Sequence, residues 1–207
     1  MSQPSARERS PIATSSSSPL ELWLRAVVET PGLTALDLPA ARQMLLEDSL
    51  RALELIAATA GPIVDVGSGG GAPGIPVALS LPEREVVLIE AEQRKCAFLK
   101  RWAPPNTRVV WGRVEEQETD WAGVALAKAL AHPGVAAEWC LPLVRPGGIA
   151  ILWVGETADA EAVSKVAAKL AAEHEPGPDG LLVLRKLGPT PAGFPRRVGV
   201  AKKRPLV

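Results

Sequence analysis

From residue 63 to residue 154 the chain alternates short apolar runs with amphipathic stretches, and that alternation restricts the possible folds sharply. Ile63-Val64-Asp65-Val66, Val86-Val87-Leu88-Ile89, Arg108-Val109-Val110-Trp111, Val124-Ala125-Leu126-Ala127 and residues 148–154 have the length and composition of buried strands. Helices fit the intervals at 74–81, 92–102 and 134–143, and a further helix is expected at 158–173 before a sixth strand at 181–184. Strands that alternate with helices pair in parallel through right-handed crossovers, giving an α/β, doubly wound open sheet with helices on both faces.

Two helices precede this pattern. Leu20, Trp23, Leu24 and Val27 recur at helical spacing before Pro31-Gly32. A second helix is expected from residue 39 to 58, with Met44, Leu45, Leu50, Leu53 and Ile56 on its apolar face and Arg42, Glu47 and Arg51 outward, stopped by Gly61-Pro62. The expected organisation is a disordered Ser-rich tail over 1–18 and one domain over 19–207. Within that domain, helices occupy 19–60, a core 61–187 and a basic segment 188–207. Apolar residues make up 47% of the 207 and aromatics only 4%, so the core must be built from Leu, Val, Ala and Ile. Two cysteines, Cys96 and Cys140, make neither a disulfide framework nor a four-ligand zinc site, so buried thiols in a reducing cytoplasm and no metal are expected. The first residues lack the apolar centre of a signal peptide and no stretch reaches a membrane span, so neither export nor a membrane partner is expected.

The most informative local signal is Asp65-Val66-Gly67-Ser68-Gly69-Gly70-Gly71-Ala72-Pro73-Gly74, directly after the first strand. Glycine permits a sharp turn at positive φ and lets a ligand approach backbone without meeting a Cβ. Pro73 suits the first turn of a following helix. Glu90 closes the second strand, where a doubly wound sheet brings a carboxylate beside the first loop, able to accept from both hydroxyls of a ribose. Both NAD and S-adenosylmethionine carry such a ribose. A dinucleotide loop reads GxGxxG and meets a pyrophosphate. Here the order is GxGxG with Asp65 at its mouth, and a carboxylate repels pyrophosphate but suits the sulfonium and amino group of S-adenosylmethionine. A nucleotide-dependent oxidoreductase and a glycine turn without ligand are the competing readings. After the third strand, Gly112-Arg113-Val114-Glu115 stands where an adenine would lie. There Val114 packs on the base and its N–H or Glu115 meets the exocyclic amine, unless Glu115 is merely solvated.

These segments together resemble the RsmG (GidB) family of bacterial methyltransferases acting on guanine N7 of small-subunit ribosomal RNA. The resemblance rests on Glu47-Asp48-Ser49-Leu50 (a helical DSL element), on DVGSGGGAPGIP from Asp65 to Pro76, and on EAEQRKCAFL from Glu90 to Leu99. It continues through Gly112 to Glu115, through Leu141 to Gly148, and through Phe194-Pro195-Arg196-Arg197 with Lys202-Lys203-Arg204-Pro205-Leu206. It covers about residues 20–207 and implies a seven-stranded, mostly parallel sheet of the class I methyltransferase (Rossmann-like) type. It also implies S-adenosylmethionine as cofactor and 16S ribosomal RNA or the 30S subunit as partner, with the enzyme a monomer. The cofactor residues expected are Asp65, Gly67, Ser68, Gly69, Ala72, Glu90, Val114, Glu115 and Lys128. Arg113 and Lys128 are expected at the catalytic position, and Lys95, Lys100, Arg196 and Arg197 on RNA. Ala72 replaces the family's Phe or Leu. Lys128 replaces its Arg, offering a point charge in place of a bidentate fork.

Guanine N7 has a free lone pair and no proton, so its methylation needs positioning and no general base. The residues after the fourth strand, Ala127-Lys128-Ala129-Leu130, lack the Asn/Asp-Pro-Pro motif of amino-methylating enzymes, and neither cysteine is preceded by Pro as a ring-carbon nucleophile would be. His174 is expected at the solvated end of a polar helix, and His132 near the catalytic edge is a lesser candidate for touching substrate. The formal charge is zero, so RNA must meet local patches. Arg185, Lys186, Arg196, Arg197, Lys202, Lys203 and Arg204 form one, free of acids in sequence, and Arg94, Lys95, Lys100 and Arg101 another. The alternatives are a methyltransferase for a small molecule or a protein, and an RNA-binding module without turnover.

Overall fold

A computed structural model describes residues 18–155 and 158–207. The Ser-rich tail expected over 1–18 therefore lies outside the described residues except for Ser18. That residue caps the first helix, its hydroxyl accepting the Glu21 N–H at 3.3 Å.

The helices are α1 (Pro19–Glu29), α2 (Leu38–Ala41), α3 (Asp48–Leu50), α4 (Leu53–Ala58), α5 (Gly74–Ser80), α6 (Gln93–Trp102), α7 (Pro133–Cys140), α8 (Ala160–Lys169) and α9 (Val200–Lys203). The strands are β1 (Ile63–Val66), β2 (Val86–Glu90), β3 (Thr107–Trp111), β4 (Ala122–Lys128), β5 (Val144–Trp153), β6 (Ala172–Glu175) and β7 (Leu181–Lys186). They form one seven-stranded sheet in the order β3-β2-β1-β4-β5-β7-β6. The first five strands pair in parallel and β7 runs antiparallel to both β5 and β6. This is the doubly wound α/β architecture expected from the alternating pattern.

Period-two geometry explains why the central strands are apolar at nearly every position, Asp65, Glu90 and Lys128 being the exceptions. Val64 and Val66 of β1, Val87 and Ile89 of β2, and Ala125 and Ala127 of β4 enter a core completed by α7, α8 and α9. Their neighbours Ile63, Val86, Leu88, Val124 and Leu126 enter a second core on the opposite face, under α1, α5 and α6. Both faces are covered, so alternation with polar residues is lost.

Three expectations change. The second helix is not continuous from 39 to 58: a π-helical turn at Arg42–Glu47 joins α2 to α3, and α4 is separate. The helix expected to reach residue 173 ends at Lys169, and the next residues form β6. His174 consequently sits in an edge strand, not at a helix end. That strand reads Ala-Glu-His-Glu, with Ala172 its only buried residue and little β propensity, so no apolar run announces it. The chain beyond β7 is pinned by Asp120, which accepts the Thr190 N–H and hydroxyl and lies 3.4 Å from the ammonium of Lys186. Among the described residues no helix is long and apolar enough to cross a membrane.

Candidate active site

The glycine loop leaves β1 at the carboxyl edge of the sheet and is stitched onto the end of β2: the Gly67 and Ser68 N–H groups donate to the Ile89 carbonyl at 2.8 and 3.0 Å. Gly67 lies at φ +69°, which favours glycine, and a Cβ there would stand 2.2 Å from the Cδ1 tip of Leu130, which would have to turn aside. Above the loop, Trp23 of α1 donates its indole N–H to the Gly70 carbonyl at 2.9 Å, tying the N-terminal helices to the turn.

Asp65 does not stand at the mouth of this loop. As the third residue of β1 it shares the face of Ile63, beneath the start of α5, and it is buried. Its Oδ2 accepts the Gly74 N–H at 3.1 Å, where a Cβ on residue 74 would collide with the carboxylate. Burial pushes the Asp65 carboxyl up to about 7. The Ser68 hydroxyl and the Gly74 amide oppose that rise, and the nearby Glu90 adds to it. The carboxylate expected to face a sulfonium is instead a brace for the loop and helix.

The loop, the ends of β2, β3 and β4, and the N-terminal helices enclose a cavity of about 360 Å³, within the range of small-ligand sites. Of the residues singled out in sequence, Gly67, Ser68, Gly69, Ala72, Glu90, Lys95, Arg113, Val114, Glu115 and Lys128 line it, whereas Asp65, Lys100, Arg196, Arg197 and His132 do not. Trp23 and Val27 of α1, Leu33 of the turn after it and Leu45 of the π-helical turn also line it, as do Leu130, Trp139 and Lys202. Helical periodicity marks Trp23, Val27 and Leu45 as apolar-face residues. It does not tell which part of that face packs on core and which on a ligand.

Glu90 is the polar centre of this wall. One carboxylate oxygen accepts the Gly69 N–H at 2.9 Å and the other the Glu92 N–H at 2.8 Å. Each oxygen keeps a further lone pair, the acceptor set a ribose diol requires. Ile89 and Val114 supply apolar surface beside it. This donor and acceptor set fits S-adenosylmethionine. The cysteines stand apart from it: burial holds the thiols of Cys96 and Cys140 well above their usual range, and Cys96 donates to the Glu90 carbonyl.

At the end of β4, the Lys128 ammonium lies 2.6 Å from Oδ2 of Asp48. The basic C-terminal segment is far less free than its sequence implies. Arg185 forms a two-point ion pair with Glu175, and Lys186 is fully buried, donating to the Leu141 carbonyl at 2.8 Å and to the Thr190 hydroxyl at 2.7 Å. Arg196 grips both oxygens of the buried Glu138 and so faces inward, not toward a solvent-borne phosphate. Glu138 lies 58 residues from Arg196, and Glu175, on the neighbouring strand β6, lies ten residues before Arg185. Glu115 accepts the Gly199 N–H at 3.1 Å, which seats α9 against the cavity, and Lys202 of that helix lies over the Trp139 ring at 5.3 Å. On α6, Lys95 reaches the cavity while paired with Glu92 at 3.1 Å. Arg94 donates to the Pro31 carbonyl, and Arg101 lies over Trp102.

Comparison with known proteins identifies the family and the fold. A family model described as rRNA small subunit methyltransferase G (GidB) matches residues 32–176. Ribosomal RNA small subunit methyltransferase G of Synechococcus sp. (strain JA-3-3Ab) is 37% identical over 189 residues, covering 78% of this chain and 72% of that protein. The protein of the same name from Pelotomaculum thermopropionicum is 35% identical over 181 residues, covering 77% and 76%. Among solved structures, the 16S rRNA N2 G1207 methyltransferase of T. thermophilus, in complex with AdoMet and guanosine, superposes with a TM-score of 0.52. It does so at 14% identity over 69% of this chain and 39% of that one, a likeness of fold alone. The matched stretch carries the glycine loop, Glu90, Glu115 and Lys128, nearly all of the cavity wall, and the chain belongs to the GidB family, rRNA small subunit methyltransferase G.

Proposed function

We propose that this enzyme, an S-adenosylmethionine-dependent methyltransferase of small-subunit ribosomal RNA, transfers its methyl group to N7 of a guanine in 16S ribosomal RNA. The single observation that carries the reading is the Glu90 carboxylate, held by the Gly69 and Glu92 amides in a cavity that Lys95, Arg113, Lys128 and Lys202 also line. Glu90 holds the ribose, Gly67 to Gly69 the methionine end, and Val114 with Glu115 the adenine. When bound, the donor supplies a methyl carbon on a sulfonium, which N7 takes through its ring lone pair without loss of a proton. Lys128, fixed by Asp48, and Arg113 orient the guanine and its phosphates. Neither acts as an acid or base, because the reaction moves no proton. The apolar wall of Trp23, Val27 and Leu33 excludes water from the donor.

The assembled 30S subunit is the proposed substrate form and the cytoplasm the proposed compartment, with the enzyme a monomer. Labelled methyl donor incubated with the enzyme and 30S particles from a strain lacking the modification tests this. Label recovered as N7-methylguanosine in 16S ribosomal RNA supports it. Label confined to protein, to a small molecule or to another position of the base contradicts it.

A further inference from the structure

Trp111 is the most exposed large apolar side chain among the described residues, at 61%. It ends β3, the outer strand of the sheet, and is paired in register with Glu90. Its indole is nevertheless fixed, because Nε1–H donates to the Ala91 carbonyl at 3.2 Å. Ala91, Lys95, Gly112 and Arg113 all line the cavity, so Trp111 stands immediately outside the rim with one of its faces in water. Two cations, Lys95 and Arg113, line the cavity beyond that rim. Lys95 is half engaged by Glu92, and no ion pair to Arg113 is found among the described residues.

Trp111 belongs to neither core, and what sets it apart from an ordinary exposed apolar residue is that it is held by a hydrogen bond at the edge of the cavity. A fixed, exposed aromatic plane at the rim of a cavity lined by Lys and Arg is an arrangement on which proteins stack an unpaired base while its phosphates meet the cations. Resting on the ribosomal RNA reading above, we propose that Trp111 is a stacking platform for a second, unpaired nucleobase of the RNA substrate, next to the guanine being methylated. Arg113 takes the phosphate between the two. The indole hydrogen bond to Ala91 holds the platform at a set height above the rim. The face adds affinity and register without reading sequence, since every base has a π surface.

The test compares wild-type enzyme, Trp111→Ala and Trp111→Phe, using a full-length 16S ribosomal RNA transcript in filter binding and unmodified 30S particles in the methylation assay. Calorimetry with S-adenosylhomocysteine serves as control. Trp111→Ala should raise the RNA Kd and the KM for 30S particles about tenfold, the size of one base–aromatic stack. It should leave kcat and S-adenosylhomocysteine affinity within twofold, and Trp111→Phe should recover most of the loss. If Trp111→Ala binds RNA like wild type, or weakens S-adenosylhomocysteine and RNA together, the platform is refuted and the indole merely supports Ala91. If wild-type enzyme itself neither binds nor methylates the RNA, the functional reading fails instead.

Discussion

Oδ2 of Asp48, on α3, lies 2.6 Å from Nζ of Lys128 at the end of β4. The same carboxylate holds Arg51 at 3.0 Å, and the Asp48 carbonyl accepts the Trp153 indole N–H at 2.9 Å. The short helical segment Asp48–Leu50 is thus fastened to the ends of two neighbouring strands, and Lys128, mostly buried, points into the cavity under its control. A lysine lacks the fork by which arginine aligns itself on a carboxylate, so its direction depends on this partner.

Asp48→Asn keeps the shape but removes the charge that aims Lys128. The methylation rate at low RNA concentration should fall about tenfold, the scale of a lost charge-assisted contact, while S-adenosylhomocysteine affinity stays within twofold. Lys128→Arg should retain activity. An unchanged rate in Asp48→Asn would free Lys128 from any dependence on this pair.

Asp65 makes stability depend on pH. Its carboxyl titrates near 7 in the folded chain and near 3.8 when unfolded, so the folded state holds a proton that the unfolded chain releases between those values. The contribution is therefore fully present at low pH and is lost as pH rises through the folded value. Asp65→Asn, which still accepts the Gly74 N–H, removes the penalty. Its melting temperature should exceed wild type by a margin that grows from pH 5 to pH 7.5, the growth corresponding to roughly 3 kcal/mol of stability. A margin constant across that range would contradict the buried-acid account.

How far the site was legible differs from segment to segment. β1 falls at the four residues its apolar run marks, and Glu90 lands beside the glycine loop, because both follow from strand length and doubly wound topology. Asp65 was misread because its place in a motif says nothing of which face it takes, while its parity with Ile63 puts it under α5. Arg196 and Lys186 look like free cations because Glu138 and Asp120 lie far away along the chain. Only tertiary packing brings each pair together.

Gly67 and Gly69 both take positive φ but differ in their surroundings. A Cβ on Gly67 would strike Leu130, whereas one on Gly69 would meet only the Gly67 carbonyl at 3.8 Å. Gly67→Ala should turn Leu130 aside in the cavity wall, weakening S-adenosylhomocysteine about tenfold and lowering the melting temperature by more than the strain of its angle alone. Gly69→Ala should cost only the strain of its angle, about 1 kcal/mol. Equal losses in the two variants would deny Leu130 its role.

Arg196 and Arg197 are adjacent yet should behave as opposites. Arg196→Ala leaves Glu138 buried without a partner and should destabilise the chain by roughly 3 kcal/mol, visible in thermal melts. Arg197→Ala should leave the melt unchanged and reduce the slope of log RNA affinity against log salt by about one. A destabilised Arg197→Ala, or an indifferent Arg196→Ala, would reverse the assignment.

The seat of the methyl donor at Glu90 is tested most directly by calorimetric titration of wild type and Glu90→Ala with S-adenosylhomocysteine, beside a thermal melt of each. Loss of both ribose acceptors predicts a single binding site in wild type and an affinity at least thirtyfold weaker in Glu90→Ala, with the fold retained, in line with two charge-assisted hydrogen bonds. An affinity unaltered by the substitution would place the donor elsewhere and contradict the account.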